Sequence, residues 1–403
     1  MNMIHRSFLF FLLLSFNIVS AQTKDKLHYK AVLVDTHNDA LSSQVLDYSL
    51  DISVRQTKGH SDLVRWKEGG LDVQFFSVFT GDKARNKEGF YKDANQEIDS
   101  LISIIARNPG KMLLATNYKQ VKKGIRQQKI VSLIGVEGGH MIEDDLGKLE
   151  ALANRGMRYM TLTWNNSTSW ASSAMDETLR PDSLKQKGLT EFGKQVVRMM
   201  NQMGVIIDLS HTGEQTFYDA IAATTKPVIL SHSSVWSLCP VFRNVKDDQV
   251  KAVAKNGGVI CINFYSGFIS RKWDELQRSL NPDSVKAKFI AGLAPNKGLL
   301  SDSLRKVEEE REWRKYRADK LDAARPTISE LVDHIDYIVK LVGDDHVGIG
   351  SDYDGVSSLP VGLDDVTTYP KITEELQRRG YSDLSIKKIL GGNVLRVMKA
   401  NFK

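Results

Sequence analysis

Three histidines and three carboxylates each follow directly on a short apolar run. His37 and Asp39 come after residues 31–36, Glu137 after 130–136, His211 after 205–209, His232 after 228–230 and Asp352 after 347–350. Neutral imidazole and carboxylate are the donors that zinc and similar borderline cations take. His37 and Asp39 are two positions apart, so on extended chain their side chains leave on the same side. Any one of these residues alone reads more readily as a satisfied polar group at a strand end. Six in the same relation to a strand argue for a metal site. A single hydrolytic zinc uses three protein ligands and keeps one position open, so six suit two ions sharing a carboxylate. Such a pair holds hydroxide between the ions and clamps a developing oxyanion. Glu137 lies between the two groups in sequence and suits the bridge. Asp352 suits binding metal and holding or deprotonating the water.

The segments that must position these residues alternate regularly. Strand-like runs at 31–36, 71–79, 130–136, 157–163, 205–209, 228–230, 258–264 and 347–350 are separated by amphipathic stretches with helix starts and stops. Examples are 94–107, closed by Asn108-Pro109-Gly110, and 189–203, closed by Gly204. Alternation of this kind implies a parallel sheet, and eight repeats fit a (β/α)8 TIM barrel best, with a doubly wound open sheet as the alternative. In a barrel the C-terminal strand ends form the active face, which is where all six candidate ligands fall. Residues 271–325 break the rhythm. This charged stretch, with Glu308-Glu309-Glu310-Arg311-Glu312 inside it, reads as a helical insertion with solvated faces, a surface lid or cap.

Composition narrows the function further. The 403 residues are 41% hydrophobic, with 55 Lys and Arg against 49 Asp and Glu. The excess of positive charge is scattered, without a basic stripe interleaved with aromatics, which argues against nucleic-acid binding. A basic start at 1–6, an apolar run at 7–19 and small residues at Ser20-Ala21 read as a signal peptide. The expected mature chain, 22–403, is a single catalytic domain, exported to the periplasm or secreted, with no stable membrane span. Cys239 and Cys261 lie in or beside apolar runs and are expected as free thiols.

Several of these segments resemble one family. The matching pieces are Val34-Asp35-Thr36-His37-Asn38-Asp39, Gly135-Val136-Glu137-Gly138-Gly139-His140, Asp208-Leu209-Ser210-His211, Ser231-His232-Ser233-Ser234, Arg243-Asn244-Val245 and Gly350-Ser351-Asp352-Tyr353-Asp354-Gly355. Together they resemble the membrane (renal) dipeptidases, the M19 metallopeptidases, over nearly all of the mature chain outside the insertion. The resemblance implies a barrel with two Zn2+ ions that hydrolyses dipeptides, including those with a C-terminal D-residue, and a homodimer. It places His37 and Asp39 on one zinc, His211 and His232 on the other, and Glu137 between them. Asp352 becomes the remaining carboxylate ligand and proton acceptor, and Arg243 the partner of the substrate carboxylate, a job that suits a guanidinium fork. One position departs from the pattern. Where the animal members have a substrate-contacting His after Leu162-Thr163, this chain has Trp164, followed by Asn165 and Asn166. Indole donates one hydrogen bond and carries no positive charge. A related binuclear amidohydrolase acting on another small amide or a lactone is therefore the alternative substrate reading. A non-catalytic binding protein on the same fold is the third.

Overall fold

The strands form where the apolar runs are, and all of them pair in parallel. They are β1 (Leu33–Asp35), β2 (Leu71–Phe79), β3 (Met112–Leu114), β4 (Ile130–Glu137), β5 (Met157–Thr161), β6 (Ile206–Asp208), β7 (Ile229–Leu230), β8 (Val259–Ile262) and β9 (Val347–Ile349). The computed structural model describes residues 26–293 and 302–403. The expected signal peptide at 1–21 lies outside the described residues.

Pairing runs β2-β1-β9-β8-β7-β6-β5-β4, and β2 also pairs with β4, which closes the ring. The result is the eight-stranded (β/α)8 barrel, and the open sheet is excluded. β3 adds to the outer side of the ring against β4. Neither β3 nor the helix after it, Tyr118–Arg126, was expected from the sequence. Three residues cannot display a period of two, and a short helix rich in lysine shows a narrow apolar stripe. Asn117 starts that helix by accepting from Gln120 N at 2.9 Å.

Several ladders stop short of their apolar runs. β5 ends at Thr161 and β8 at Ile262. The chain beyond is freed from the ladder there, and it carries the polar groups of the C-terminal face. Packing inside the barrel prepares that face as well. Phe75, Leu133, Tyr159, Ile229 and Cys261 belong to one fully buried cluster. Gly135 on β4 makes room for Tyr159, since a Cβ there would lie 2.0 Å from the ring carbon bearing its hydroxyl. Gly350 performs the same service at the end of β9, where a Cβ would meet the carbonyl oxygen of Ser231 at 1.8 Å.

The outer helices are capped by the residues their sequences supply. Thr190 accepts from Gly193 N, and Gly204 ends the same helix, Glu191–Met203, at φ +76°. Thr327 and Glu330 form a reciprocal capping box at the start of Ile328–Val342. Among the described residues, the insertion contains helices Arg271–Ser279, Asp283–Gly292 and Asp302–Asp322. Its buried Trp273 packs edge-on to Tyr265 of the barrel and donates its indole N–H to Leu321 O at 3.0 Å, which ties the first insertion helix to the last. Arg311 pairs with Glu308, and Arg314 with Glu310, along its solvent side. Between the insertion and residues 357–364 lies a cavity of about 520 Å³. Cys239 and Cys261 are buried and unpaired, as expected. No helix among the described residues is long and apolar enough to cross a membrane.

Candidate metal centre

The six strand-end residues meet at one place. His37 Nε2 lies 3.4 Å from Asp39 Oδ2, 3.3 Å from Glu137 Oε2 and 4.0 Å from Asp352 Oδ1. His211 Nε2 and His232 Nε2 lie 3.0 and 3.4 Å from the other Glu137 oxygen, Oε1, and 2.9 Å from each other. Glu137 thus turns one oxygen to each group. Ligand atoms of His37, Asp39 and Asp352 converge within 4.8 Å, as do those of His37, Glu137 and His232. All six side chains are largely buried.

The rings are oriented consistently. Each imidazole presents Nε2 to the centre and gives Nδ1 to an oxygen: Tyr159 Oη at 2.8 Å for His37, Asn165 Oδ1 at 3.0 Å for His211, and Ser231 Oγ at 2.8 Å for His232. The Asn165 carbonyl and the Ser231 hydroxyl accept from Nδ1–H, which favours the tautomer whose Nε2 lone pair can bind a metal, and Tyr159 Oη can accept from His37 in the same way. Ser231 Oγ passes its own proton on to Asp208 Oδ2 at 2.6 Å. Asn263 Nδ2 donates to Asp352 Oδ2 at 2.8 Å, and Ser77 Oγ donates to Glu137 Oε2 at 3.2 Å.

Two interior aspartates hold the strand exits. Asp35 accepts from the backbone N–H of Ser351 and His37, from Ser351 Oγ at 2.6 Å and from Tyr369 Oη at 2.5 Å. It clamps the β1 and β9 exits that carry His37, Asp39 and Asp352. Asp208 accepts from Ser210 N, from Ser231 N, and from the hydroxyls of Thr161 and Ser231. It clamps the β6 and β7 exits that carry His211 and His232. Sequence reasoning quoted both aspartates inside motifs and gave them no role, and the one available signal was a charge ending an apolar run. Local backbone strain adds to the aim. His211 at φ +63° and Asp352 at φ +61° are non-glycine residues in the left-handed region, conformations that persist only when the surroundings impose them.

The electrostatics are those of a cation site. His37 Nε2 and Asp39 Oδ1 are buried polar atoms without a hydrogen-bond partner, which is costly unless something charged meets them. Burial opposes a charge on Glu137, yet the imidazoles around it, His37 first, hold its carboxyl well below the usual range. Burial, then the charge of Arg243, pushes His211 down to about 3. Burial and His37 push His232 well below its ordinary value. Both rings are therefore neutral, the form a metal needs. Burial pushes Asp352 well above the usual carboxylate range, with Asp39 and Glu137 adding to the effect. His37 moves up despite burial, because Tyr159, Glu137 and Asp39 outweigh it. This crowd of carboxylates around one imidazole calls for positive charge, so the residues fit the metals that the sequence implied.

A cavity of about 530 Å³ opens over the centre, and Arg243 and Trp164 line it together with Asp39, Glu137, His211, His232 and Asp352. Arg243 is buried, donates to His232 O at 3.2 Å and lies 5.3 Å from the centre of the Phe268 ring. Burial pulls its pKa down to about 10, which leaves it charged at neutral pH. Trp164 is half-buried, its ring 5.1 Å from that of Phe79 and 6.3 Å from that of His211. His140, from the Gly138-Gly139-His140 motif, turns away to Thr80 O at 3.0 Å and packs edge-on to Phe90.

Known proteins share this architecture. The chain matches the family model described as membrane dipeptidase (peptidase family M19) over residues 21–402. Its structure is similar to that of the probable dipeptidase PvdM from Pseudomonas aeruginosa, at 26% identity and a TM-score of 0.77, covering 94% of this chain and 97% of that one. It is also similar to the metallopeptidase dipeptidase AC of family M19, at 21% identity and a TM-score of 0.70, with 92% and 99% covered. A third similar structure is a metallopeptidase from Rhodobacter sphaeroides liganded with a phosphinate mimic of the dipeptide L-Ala-D-Ala, at 21% identity and a TM-score of 0.71, with 92% and 99% covered. The chain belongs to the membrane dipeptidase family M19, and it is a metallo-dipeptidase.

Proposed function

We propose that this enzyme is a two-zinc dipeptidase that cleaves free dipeptides, including those with a C-terminal D-residue. The observation that carries the reading is the division of Glu137, with Oε2 3.3 Å from His37 and Oε1 3.0 and 3.4 Å from His211 and His232. That division supports His37, Asp39 and Asp352 as holders of one ion and His211 and His232 as holders of the other, with Glu137 shared. Two zinc ions would supply an ionised water and Lewis acidity toward the peptide carbonyl.

The protein's own groups do the rest. Arg243 donates its guanidinium fork to the substrate carboxylate, and its tether to His232 O sets the register between that carboxylate and the centre. Asp352 takes the proton of the attacking water and returns it to the departing amine, with Asn263 fixing which oxygen faces the centre. Acceptance of a D-residue draws on the L-Ala-D-Ala mimic bound by the similar Rhodobacter sphaeroides peptidase. Export of the enzyme rests on the basic and apolar segments within residues 1–21.

The test is zinc content together with turnover on a panel of L,L- and L,D-dipeptides and N-acyl amino acids. The expected result is two zinc per chain, turnover of free dipeptides, loss with a chelator and recovery with zinc. Full activity after metal removal would end the reading. Turnover confined to N-acyl amino acids would favour the amidohydrolase alternative that Trp164 motivates.

A further inference from the structure

Asn165 lies in the cavity beside His211, at a position the proposed mechanism does not use. Its carbonyl oxygen Oδ1 is 3.0 Å from His211 Nδ1. Once Nε2 of His211 gives its lone pair to a metal, its Nδ1 carries the proton and Asn165 Oδ1 must accept it. The orientation of the amide then follows from chemistry, and its two N–H donors point the other way. Asn165 Nδ2 has no hydrogen-bond partner among the described residues, and Asn165 is half-buried in the cavity wall.

The loop holding it is tied down. Ser173 Oγ donates to Asn165 O at 2.7 Å, and Ser167 donates to Asp176 Oδ2 through its N–H and hydroxyl at 2.9 and 2.6 Å. Several other donors around the cavity are held by protein groups, whereas the Trp164 indole N–H, like the Asn165 amide, has no hydrogen-bond partner among the described residues. Arg243 holds His232 O, Arg85 holds Glu97 and Phe79 O, and Tyr265 Oη bonds Gln277. Trp164, next in the chain, leans on Phe79. A rigid, uncommitted amide donor next to a metal-facing imidazole is the arrangement that stabilises charge developing on a carbonyl oxygen.

We propose that Asn165 is a catalytic residue, whose Nδ2 donates a hydrogen bond to the scissile carbonyl oxygen as it becomes an oxyanion. In that step the water oxygen bonds to the carbonyl carbon, the C=O electron pair moves onto oxygen and Asp352 takes the water proton. Asn165 itself gains and loses nothing covalently. The inference rests on the proposed dipeptidase reading and adds a residue to it.

The test compares wild type with Asn165→Asp, Asn165→Ala and Trp164→Phe at saturating zinc. Turnover of L-Ala-L-Ala and L-Ala-D-Ala, bound zinc, and calorimetric affinity for a phosphinate dipeptide are read for each. Asn165→Asp keeps the acceptor for His211 and removes the donor. It is expected to retain two zinc and a KM within about threefold, while kcat falls about 100- to 1,000-fold. Phosphinate affinity should fall by a similar factor. Asn165→Ala, lacking both groups, should bind zinc more weakly, and once loaded it should show the same loss of kcat. Trp164→Phe, which removes the rival indole donor, should lower kcat by at least about tenfold less than Asn165→Asp does. Wild-type kcat in Asn165→Asp, or in zinc-loaded Asn165→Ala, would reduce Asn165 to a positioning residue for His211. A large loss in Trp164→Phe would assign the donor to the indole. An inactive wild-type enzyme would overturn the dipeptidase reading and this inference together, whereas an active wild type with an active Asn165→Asp overturns only the inference.

Discussion

In one half of the centre His37 stands among Asp39, Asp352 and Glu137; in the other, His211 and His232 converge on the far oxygen of Glu137. The construction is otherwise parallel. Each half takes its residues from two neighbouring strand exits, and each pair of exits is clamped by one buried aspartate, Asp35 or Asp208. The charge differs sharply. The first half gathers carboxylates, and both His37 and Asp352 hold their protons more tightly than usual. The second half gathers neutral imidazoles. On the proposed two-ion reading, the same scaffold builds one half that competes with protons for its cation and one that does not.

The largest test of that contrast is Glu137→Gln, which touches both halves. It is expected to lower dipeptide turnover by more than about 1,000-fold and to bring bound zinc to one ion or fewer, read by elemental analysis. Two zinc ions in an active Glu137→Gln would break the idea of a shared carboxylate. Asp352→Asn touches the first half only. We expect kcat to fall by about 100- to 10,000-fold while an ion stays at His211 and His232.

Smaller effects should separate the halves by their outer supports. Tyr159→Phe removes the oxygen at His37 Nδ1, and Ser231→Ala the one at His232 Nδ1. Each should weaken zinc by about 10- to 100-fold, in different steps of a stepwise titration. Weakening of the same step by both would mean the halves are not separate sites.

The pH dependence of metal binding should be one-sided. His37 has a raised pKa, so in the metal-free protein it is protonated below that value and zinc must displace the proton. Affinity in the first half then weakens as pH falls, up to about tenfold per unit and per proton displaced. His211, down to about 3, and His232 have nothing to release near neutral pH, so the second half should stay level. Calorimetry in buffers of different ionisation enthalpy counts the protons. The smallest expected effect is on the clamps. Asp35→Asn and Asp208→Asn should each cost about 1–3 kcal/mol in denaturant unfolding, because an amide nitrogen cannot accept the bonds the lost oxygen took.

Much of this was legible in local sequence. A polar residue just past an apolar run announces itself wherever a strand ends at an active face, so all six candidate ligands could be read without knowing which strands are neighbours. The eightfold alternation carried the barrel for the same reason, since strand and helix periodicities are properties of short windows. Arg243 and Trp164 had weaker signals, and only the resemblance singled them out. β3 escaped because three residues show no period.

Tertiary structure decided what no window holds. Closure of β2 on β4 set which exits face each other, and hence which oxygen of Glu137 meets which histidine. Asp35 reaches Ser351 across 316 positions, and His37 reaches Tyr159 across 122. Hydrogen bonds of that span follow from the order of strands around the ring and from gaps such as the one Gly135 leaves. The amide of Asn165 likewise gained its direction only from His211, 46 positions away. The sequence by itself determined which chemical groups stand at the strand ends, because that is a matter of residue type and local period. Their pairing, tautomers and charge were left to the packed barrel, because burial and distant partners set them.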